Sequence, residues 1–260
     1  MREETEVETT QDAAATSVTA PLYTKVRREI LSDLRDGRWR AGHRLPTEPQ
    51  LANRFGVSIS TVRKAIDLLV SERILLRQAG RGTTVACYNN QENFESFSQL
   101  ADETGRPVTI DAEVLGCDVF DGHIDGEDDA DIRAKLGSTA PLARIVNLRC
   151  ENGKPLILDR LFLPLDIFKG LTGEAFQNRG GLIYGFYQEH FGVTVVRVEE
   201  ALTACPADAE TAAILGVAPQ TPLLRIERLA FSFDDRPVEW RYRLVNTSHC
   251  AYRNVIGLKD

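Results

Sequence analysis

Residues 47–70 read TEPQLANRFGVSISTVRKAIDLLV, and the order of residue types along this stretch decides the N-terminal fold. Thr47-Glu48-Pro49-Gln50 is a capping-box pattern, in which the Thr47 hydroxyl can accept a first-turn N–H and Gln50 can reach back to the cap. Pro49 is harmless there, because first-turn N–H groups have no partner inside the helix. Leu51, Ala52 and Phe55 give this short helix one apolar side. Gly56-Val57-Ser58 supplies a tight turn, with Ser58 placed to cap the next helix, predicted over Ile59 to Ser71. Along it Val62, Ala65, Ile66, Leu69 and Val70 recur at helical spacing, and the opposite face holds Ser60, Thr61, Arg63, Lys64 and Asp67.

Upstream, Tyr23, Val26, Ile30 and Leu34 place another apolar stripe on a helix over Leu22 to Asp36, which Gly37 ends. Downstream, Ile74 to Gln78 and Thr83 to Val85 flank Ala79-Gly80-Arg81-Gly82 and read as a short hairpin. Two short helices around a glycine turn describe a helix-turn-helix, whose second helix presents its N-terminal turns to a major groove. Arg63 suits a guanine edge or a phosphate, and Ser60, Thr61 and Lys64 suit phosphates. The hairpin then reads as a wing: Gly80 and Gly82 allow close backbone approach, and Arg81 points to a phosphate or the minor groove. Any one of these helices could be the solvated face of a bundle, but the ordered series of features could hardly be.

Charge follows the same division. Residues 20–88 hold 13 Lys/Arg against 6 Asp/Glu, although the whole chain carries a net charge of −7. A basic module on an acidic body is what phosphate-backbone binding by one part would produce. The acidic residues 1–19 read as a disordered tail without the features of a secretory signal. No apolar run is long enough to suggest a membrane span. The five scattered cysteines form no C-x-x-C pair, which suits unpaired thiols in a reducing cytoplasm. His249 beside Cys250 is too little for a metal site, so neither metal nor cofactor is expected.

The segments Arg44-Leu45-Pro46-Thr47-Glu48, Phe55-Gly56-Val57-Ser58, Thr61-Val62-Arg63-Lys64-Ala65 and Gly80-Arg81-Gly82-Thr83 closely resemble the GntR family of bacterial regulators. The resemblance implies a winged helix over residues 20–86. Its contacts to a double-stranded DNA operator would come from Arg44, Thr47, Ser58, Ser60, Thr61, Arg63, Lys64, Gly80, Arg81 and Gly82. Pro49 and Ile59 depart from polar or basic residues usual in the family, which argues for an altered operator sequence.

After a polar linker at 87–92 the chain repeats itself. Asp129-Ala130…Leu136-Gly137 recurs as Asp208-Ala209…Leu215-Gly216, Pro141-Leu142-Ala143-Arg144-Ile145 as Pro222-Leu223-Leu224-Arg225-Ile226, and Lys154-Pro155-Leu156 as Arg236-Pro237-Val238. Each copy predicts a glycine-stopped helix, a strand, a turn and a returning strand. An alternating segment precedes each helix, near Ile110 to Leu115 and Val195 to Leu202. The expectation is an α+β domain over 93–260: a mostly antiparallel sheet carrying helices, with pseudo-twofold symmetry and a cleft between its halves.

This stretch resembles the UTRA effector-binding domain of the HutC subfamily, which has a chorismate-lyase-like fold. The resemblance implies a small-molecule effector between the hairpins, met by Ser98, Arg149, Asp159, Tyr184 and Glu239. The residue chemistry agrees in part. Arg149 offers a planar fork for a carboxylate or phosphate, and Asp159 and Glu239 can accept from hydroxyls or amines. Glu239, Arg241 and Arg243 alternate along one strand and share a face, which adds Arg241 to the site. Cross-strand ion pairs on a wet sheet face would give the same pattern. Asn147, Leu182 and Val245 replace polar residues found in members that bind sugar phosphates. The effector class therefore stays open among organic acids, amino-acid derivatives and sugar-type metabolites.

The expected function is a metabolite-responsive repressor that binds a palindromic operator as a homodimer. Two other readings compete, a ligand-independent DNA-binding protein and an enzyme of lyase-like fold. Against the enzyme, the sequence has no G-x-S-x-G, no H-E-x-x-H and no phosphate-cradling glycine loop.

Overall fold

The computed structural model describes residues 21–72, 74–78, 80, 82–86, 99–108, 111–122, 129–180 and 182–254. The proposed tail and linker, and with them Arg81, Ser98 and Cys87, lie outside the described residues.

The N-terminal module contains α1 (Leu22–Arg35), α2 (Glu48–Phe55), α3 (Ile59–Ser71), β1 (Leu75–Gln78) and β2 (Gly82–Val85). Gln50 Oε1 accepts from the Thr47 N–H at 2.9 Å and from the Thr47 hydroxyl at 3.0 Å, fixing the start of α2. Gly56 ends α2 in the left-handed conformation, and Ser58 Oγ accepts from the Thr61 N–H at 3.2 Å to open α3. The expected stripes are buried: Val26, Ile30 and Leu34 from α1, Leu51 and Ala52 from α2, and Val62, Ala65, Ile66 and Leu69 from α3. They share one core with Leu75 and Val85 of the β1–β2 hairpin.

The second part contains β3 (Leu100–Asp102), β4 (Asp111–Phe120), α4 (Asp129–Leu136), β5 (Leu142–Glu151), β6 (Lys154–Pro164), α5 (Gly173–Gln177) and α6 (Ile183–Phe191). It continues with β7 (Arg197–Pro206), α7 (Ala209–Leu215), β8 (Pro222–Phe231), β9 (Pro237–Val245) and β10 (Cys250–Tyr252). Six strands form one antiparallel sheet in the order β4-β5-β6-β9-β8-β7. That order is symmetric about the β6–β9 seam, so the two sequence copies occupy the two halves. The copies also interlock. Helix α4 of the first packs on β9 of the second, and α7 of the second packs on β6 of the first. Strands β4 and β7 run further than the alternating segments suggested, to Phe120 and Pro206. Their extra length is paired with β5 and β8 through the last residues, and this pairing leaves no local signature.

One sheet face carries α4 and α7 over Leu148, Leu158, Phe162, Trp240 and Leu244. The other face has two apolar clusters. Phe168, Phe176, Phe186 and Tyr187 cover Ile145, Leu161 and Leu163 at one end. At the other, Leu100, Val108 and Cys250 cover Ile157, Ile226 and Val245. Between the two lies a belt of charge.

Candidate functional site

The first group of candidate residues lies on the outside of the winged module. Ser58, Ser60, Arg63 and Lys64 are exposed at the start of α3, with Thr61 half-buried beside them. Thr47 is exposed at the start of α2. Arg44 lies beside the hairpin, bridged to Thr84, and a Cβ added at Gly82 would come within 3.1 Å of its Nε. With φ at +85°, Gly82 is held to glycine by its backbone, and the Arg44 guanidinium lies close over it. Gly80 also has positive φ.

Glu48 was missed as a part of this surface. Its carboxylate takes Arg63 Nη2 at 2.8 Å and Arg77 Nη2 at 3.2 Å, and Arg77 also reaches Asp67 at 2.5 Å. One acidic residue thus ties α2, α3 and β1 together, and its hydrogen bond and charge raise the Arg63 pKa. The Lys64 ammonium sits 4.2 Å from the centre of the Tyr23 ring. Exposed contacts of this kind are weak, so a phosphate or a base edge can take over either cation at small cost. Behind the surface, buried Asp33 accepts from Arg38 at 2.7 Å and forms an ion pair with Arg54 at 2.6 Å, joining α1 to α2.

The charge belt forms the second group. Register places Asn147, Asp159 and Arg243 side by side on β5, β6 and β9. Next to that row, Arg241, Arg228 and Glu200 lie side by side on β9, β8 and β7. Arg243 donates to Asp159 at 2.7 and 3.3 Å. Arg241 donates to Glu239 at 2.9 and 2.8 Å, and the Tyr187 hydroxyl of α6 donates to Glu239 at 2.5 Å. Arg228 meets Glu200 at 2.6 Å and the Tyr184 hydroxyl at 3.4 Å. The sequence-predicted residues Arg149, Asp159, Tyr184, Glu239 and Arg241 therefore converge on the seam between the copies. The ion pairs foreseen as an alternative do exist, but the face is not wet. Asp159 and Glu239 are fully buried and Arg241 and Arg243 nearly so.

Two arginines keep donors that their partners do not use. Arg149 has Asp159 Oδ2 only at 3.9 Å, beyond hydrogen-bond reach. Burial, then the like charges of Arg243, Arg241 and Arg179, pull its guanidinium down to about 9 despite Asp159. Burial alone would raise the Asp159 carboxyl, but Arg243, Arg241 and Arg149 together hold it well below the usual carboxylate range. Arg179, from the segment between α5 and α6, was not anticipated. It packs over the Phe176 ring at 4.2 Å, donates to the Phe176 carbonyl at 2.6 Å and reaches Asn147 Oδ1 at 3.4 Å. Its Nε and the Nδ2 of Asn147 are buried without hydrogen-bond partners. A guanidinium thus arrives from another element at the place where Asn147 replaces a basic residue. No local pattern marks Arg179 in the sequence. Leu182 is the N-cap of α6 and offers it no capping side chain, while Val245 is fully buried among apolar neighbours.

Among the described residues there is no cluster of His, Cys, Asp or Glu able to hold a metal ion, and Cys117, Cys150, Cys205 and Cys250 are free thiols. No described helix is long and apolar enough to cross a membrane.

Comparison with known proteins fits both halves. The family model described as bacterial regulatory proteins, gntR family, matches residues 22–85, and that of the UTRA domain matches residues 125–250. The HTH-type transcriptional repressor NagR of Bacillus subtilis is 25% identical over 214 residues, covering 81% of this chain and 84% of its own. The mannosyl-D-glycerate transport/metabolism system repressor MngR of Escherichia coli is 27% identical over 243 residues, 92% of this chain and 98% of its own. A crystal structure of the ligand-binding domain of a protein described as a GntR-family transcriptional regulator, from Bordetella bronchiseptica, superposes with a TM-score of 0.56. It is 32% identical and covers 62% of this chain and 97% of that one.

Proposed function

The chain belongs to the GntR family of bacterial regulatory proteins, with a UTRA domain behind its winged helix, and from that premise we propose that it is a homodimeric repressor released from its operator by a small anionic metabolite. A metabolite-responsive transcription regulator is what family and relatives have in common, and it joins a DNA operator to a small-molecule effector. The enzyme reading falls away, because the relatives are transcription regulators.

One observation carries the anionic effector. Among the described residues the belt gathers Arg149, Arg179, Arg228, Arg241 and Arg243 around only Asp159, Glu200 and Glu239. The two guanidiniums in surplus, Arg149 and Arg179, are only partly exposed, and charge held largely away from water is costly unless a partner arrives. Arg149, Arg179 and Asn147 hold donors in reserve, which suits the oxygens of a carboxylate or phosphoryl group. The compound named for MngR, mannosyl-D-glycerate, carries a carboxylate and is compatible with this.

On the DNA side, a homodimer would place two α3 helices in successive major-groove half-sites of a palindrome, with Arg63 reading a base edge and Ser58, Ser60, Thr61, Lys64 and Arg44 holding phosphates. Effector binding shifts the separation of the two modules, and by linkage DNA weakens effector binding by the same factor. The test is release of a duplex, selected from a random pool by the full-length protein, by a panel of organic acids, phosphorylated sugars, amino acids and neutral sugars. Release by anionic compounds is expected. Release by neutral sugars alone, with no effect of any anion, overturns the reading.

A further inference from the structure

The turn between β8 and β9 reaches beyond its own domain: Asp235 is held at home by Arg197 of β7 at 2.9 Å, but Phe233 is not. Phe233, the first residue of a short 3-10 turn (Phe233–Asp235), is 5% exposed and belongs to the core of the winged module, with Val26, Ile30, Leu34 and Leu69. The turn touches α1, and Val196, just before β7, packs against the same cluster. A second tie lies nearby. The buried Gln188 of α6 donates through Nε2 to the Ala86 carbonyl at 3.2 Å and to Thr194 Oγ1 at 3.1 Å. Ala86 follows β2 directly, and its own N–H donates to Ile74 O at the base of the wing.

The two elements that make these ties are the ones that frame the charge belt. Strands β8 and β9 carry Arg228, Glu239, Arg241 and Arg243, and α6 carries Tyr184 and Tyr187. Glu239 lies two residues along β9 from Pro237, about 7 Å of strand from the turn. It is also the atom-level link between the two elements, since its carboxylate takes both Arg241 of β9 and Tyr187 of α6.

We propose that the β8–β9 hairpin is a latch between the domains, in which Phe233, as a positioning residue, passes changes in the charge belt to helix α1 of the winged module. It rests on the reading of the belt as an effector site and names the route by which that site acts. A hairpin is stiff along its strands, so a shift of Arg241 or Glu239 moves the turn as a body. A close-packed core answers such a shift by reseating rather than by gradual deformation. Phe233 thus trades between a seated position that pins α1 and a withdrawn one that frees it.

The experiment uses the full-length protein and amide hydrogen exchange of α1. Glu239→Gln removes the belt's central charge and is expected to change α1 exchange by about fivefold or more, within the usual range of coupling. The same substitution in a Phe233→Ala background should leave α1 unmoved, and Phe233→Leu, which keeps an apolar plug, should restore part of the response. Trp39 fluorescence in a Trp240→Phe background confirms that the module stays folded in each variant. An equal response of α1 with and without Phe233, or no response to Glu239→Gln at all, overturns the latch. Inorganic phosphate added to the Phe233→Ala protein separates the two readings. Protection of β5 and β9 that leaves α1 unmoved supports the latch. Loss of that protection in wild type counts against the anionic effector, while the Glu239→Gln comparison still decides the latch.

Discussion

Replacing Arg149 by methionine should make the protein more stable and deaf to anions at once. Folding pulls the Arg149 guanidinium from its ordinary value of 12.5 to about 9, chiefly by burial and then by Arg243. The unfolded chain therefore holds that proton more tightly, and the folded state bears the cost at every pH below about 9. At about 1.4 kcal/mol per pH unit the displacement amounts to a few kcal/mol. Asp159 keeps its close pair with Arg243 when Arg149 is gone, and methionine preserves the aliphatic packing. Apolar replacements of buried charges commonly gain about 1–4 kcal/mol. A gain of about 1–3 kcal/mol is expected here, which in a chain of this size raises Tm by about 2–4 °C per kcal/mol. The chain has two tryptophans, one in each half, so urea and thermal unfolding followed by Trp240 fluorescence in a Trp39→Phe background reports on the sheet domain. Each is run at pH 7 with and without millimolar inorganic phosphate. Wild type should gain stability from phosphate and the variant should not. A variant less stable than wild type, or one still stabilised by phosphate, would refute the idea that Arg149 waits for an anion.

Three further outcomes follow from the same geometry. Asp159→Asn leaves Arg243 and Arg149 without their carboxylate and should cost about 3–5 kcal/mol. Because the folded Asp159 is held below its ordinary value, its contribution is complete above about pH 4 and is lost as pH falls further, so the variant's urea midpoint should vary less with acid than wild type's. Arg179→Ala should weaken phosphate binding about tenfold, or 1.4 kcal/mol, by calorimetry, without lowering Tm. Leu69→Ala empties a fully buried position in the winged module and should cost about 2–5 kcal/mol there, read as an earlier Trp39 transition.

Much of this architecture is written locally in the chain. The caps of α2 and α3, the glycine turn at Gly56 and the apolar stripes are short-range patterns, and each is found where the residues place it. The duplication was legible for the same reason, since repeated helix, strand and turn segments imply equivalent halves. Tertiary apposition was not. Glu48 meets Arg63 and Arg77 from 15 and 29 positions away, and Arg179 reaches Asn147 from 32 away. Such pairings leave no periodicity. Whether Arg241 faced water or a closed seam depended on Tyr184 and Tyr187 of α6 covering it, which the alternation along β9 cannot reveal. Phe233 carries no mark in the sequence, because its partners belong to another domain.

Regulation by this protein requires that the exposed start of α3 be the DNA-reading surface. The direct measurement is the affinity of full-length wild type and Arg63→Ala for a duplex selected by the wild-type protein, at fixed salt, with circular dichroism as the folding control. A base-reading arginine contributes about 1–3 kcal/mol, so the variant should bind about 5–150-fold more weakly with its fold intact. Unchanged affinity in a folded variant would contradict the placement of the recognition helix, and with it the regulatory mechanism built on it.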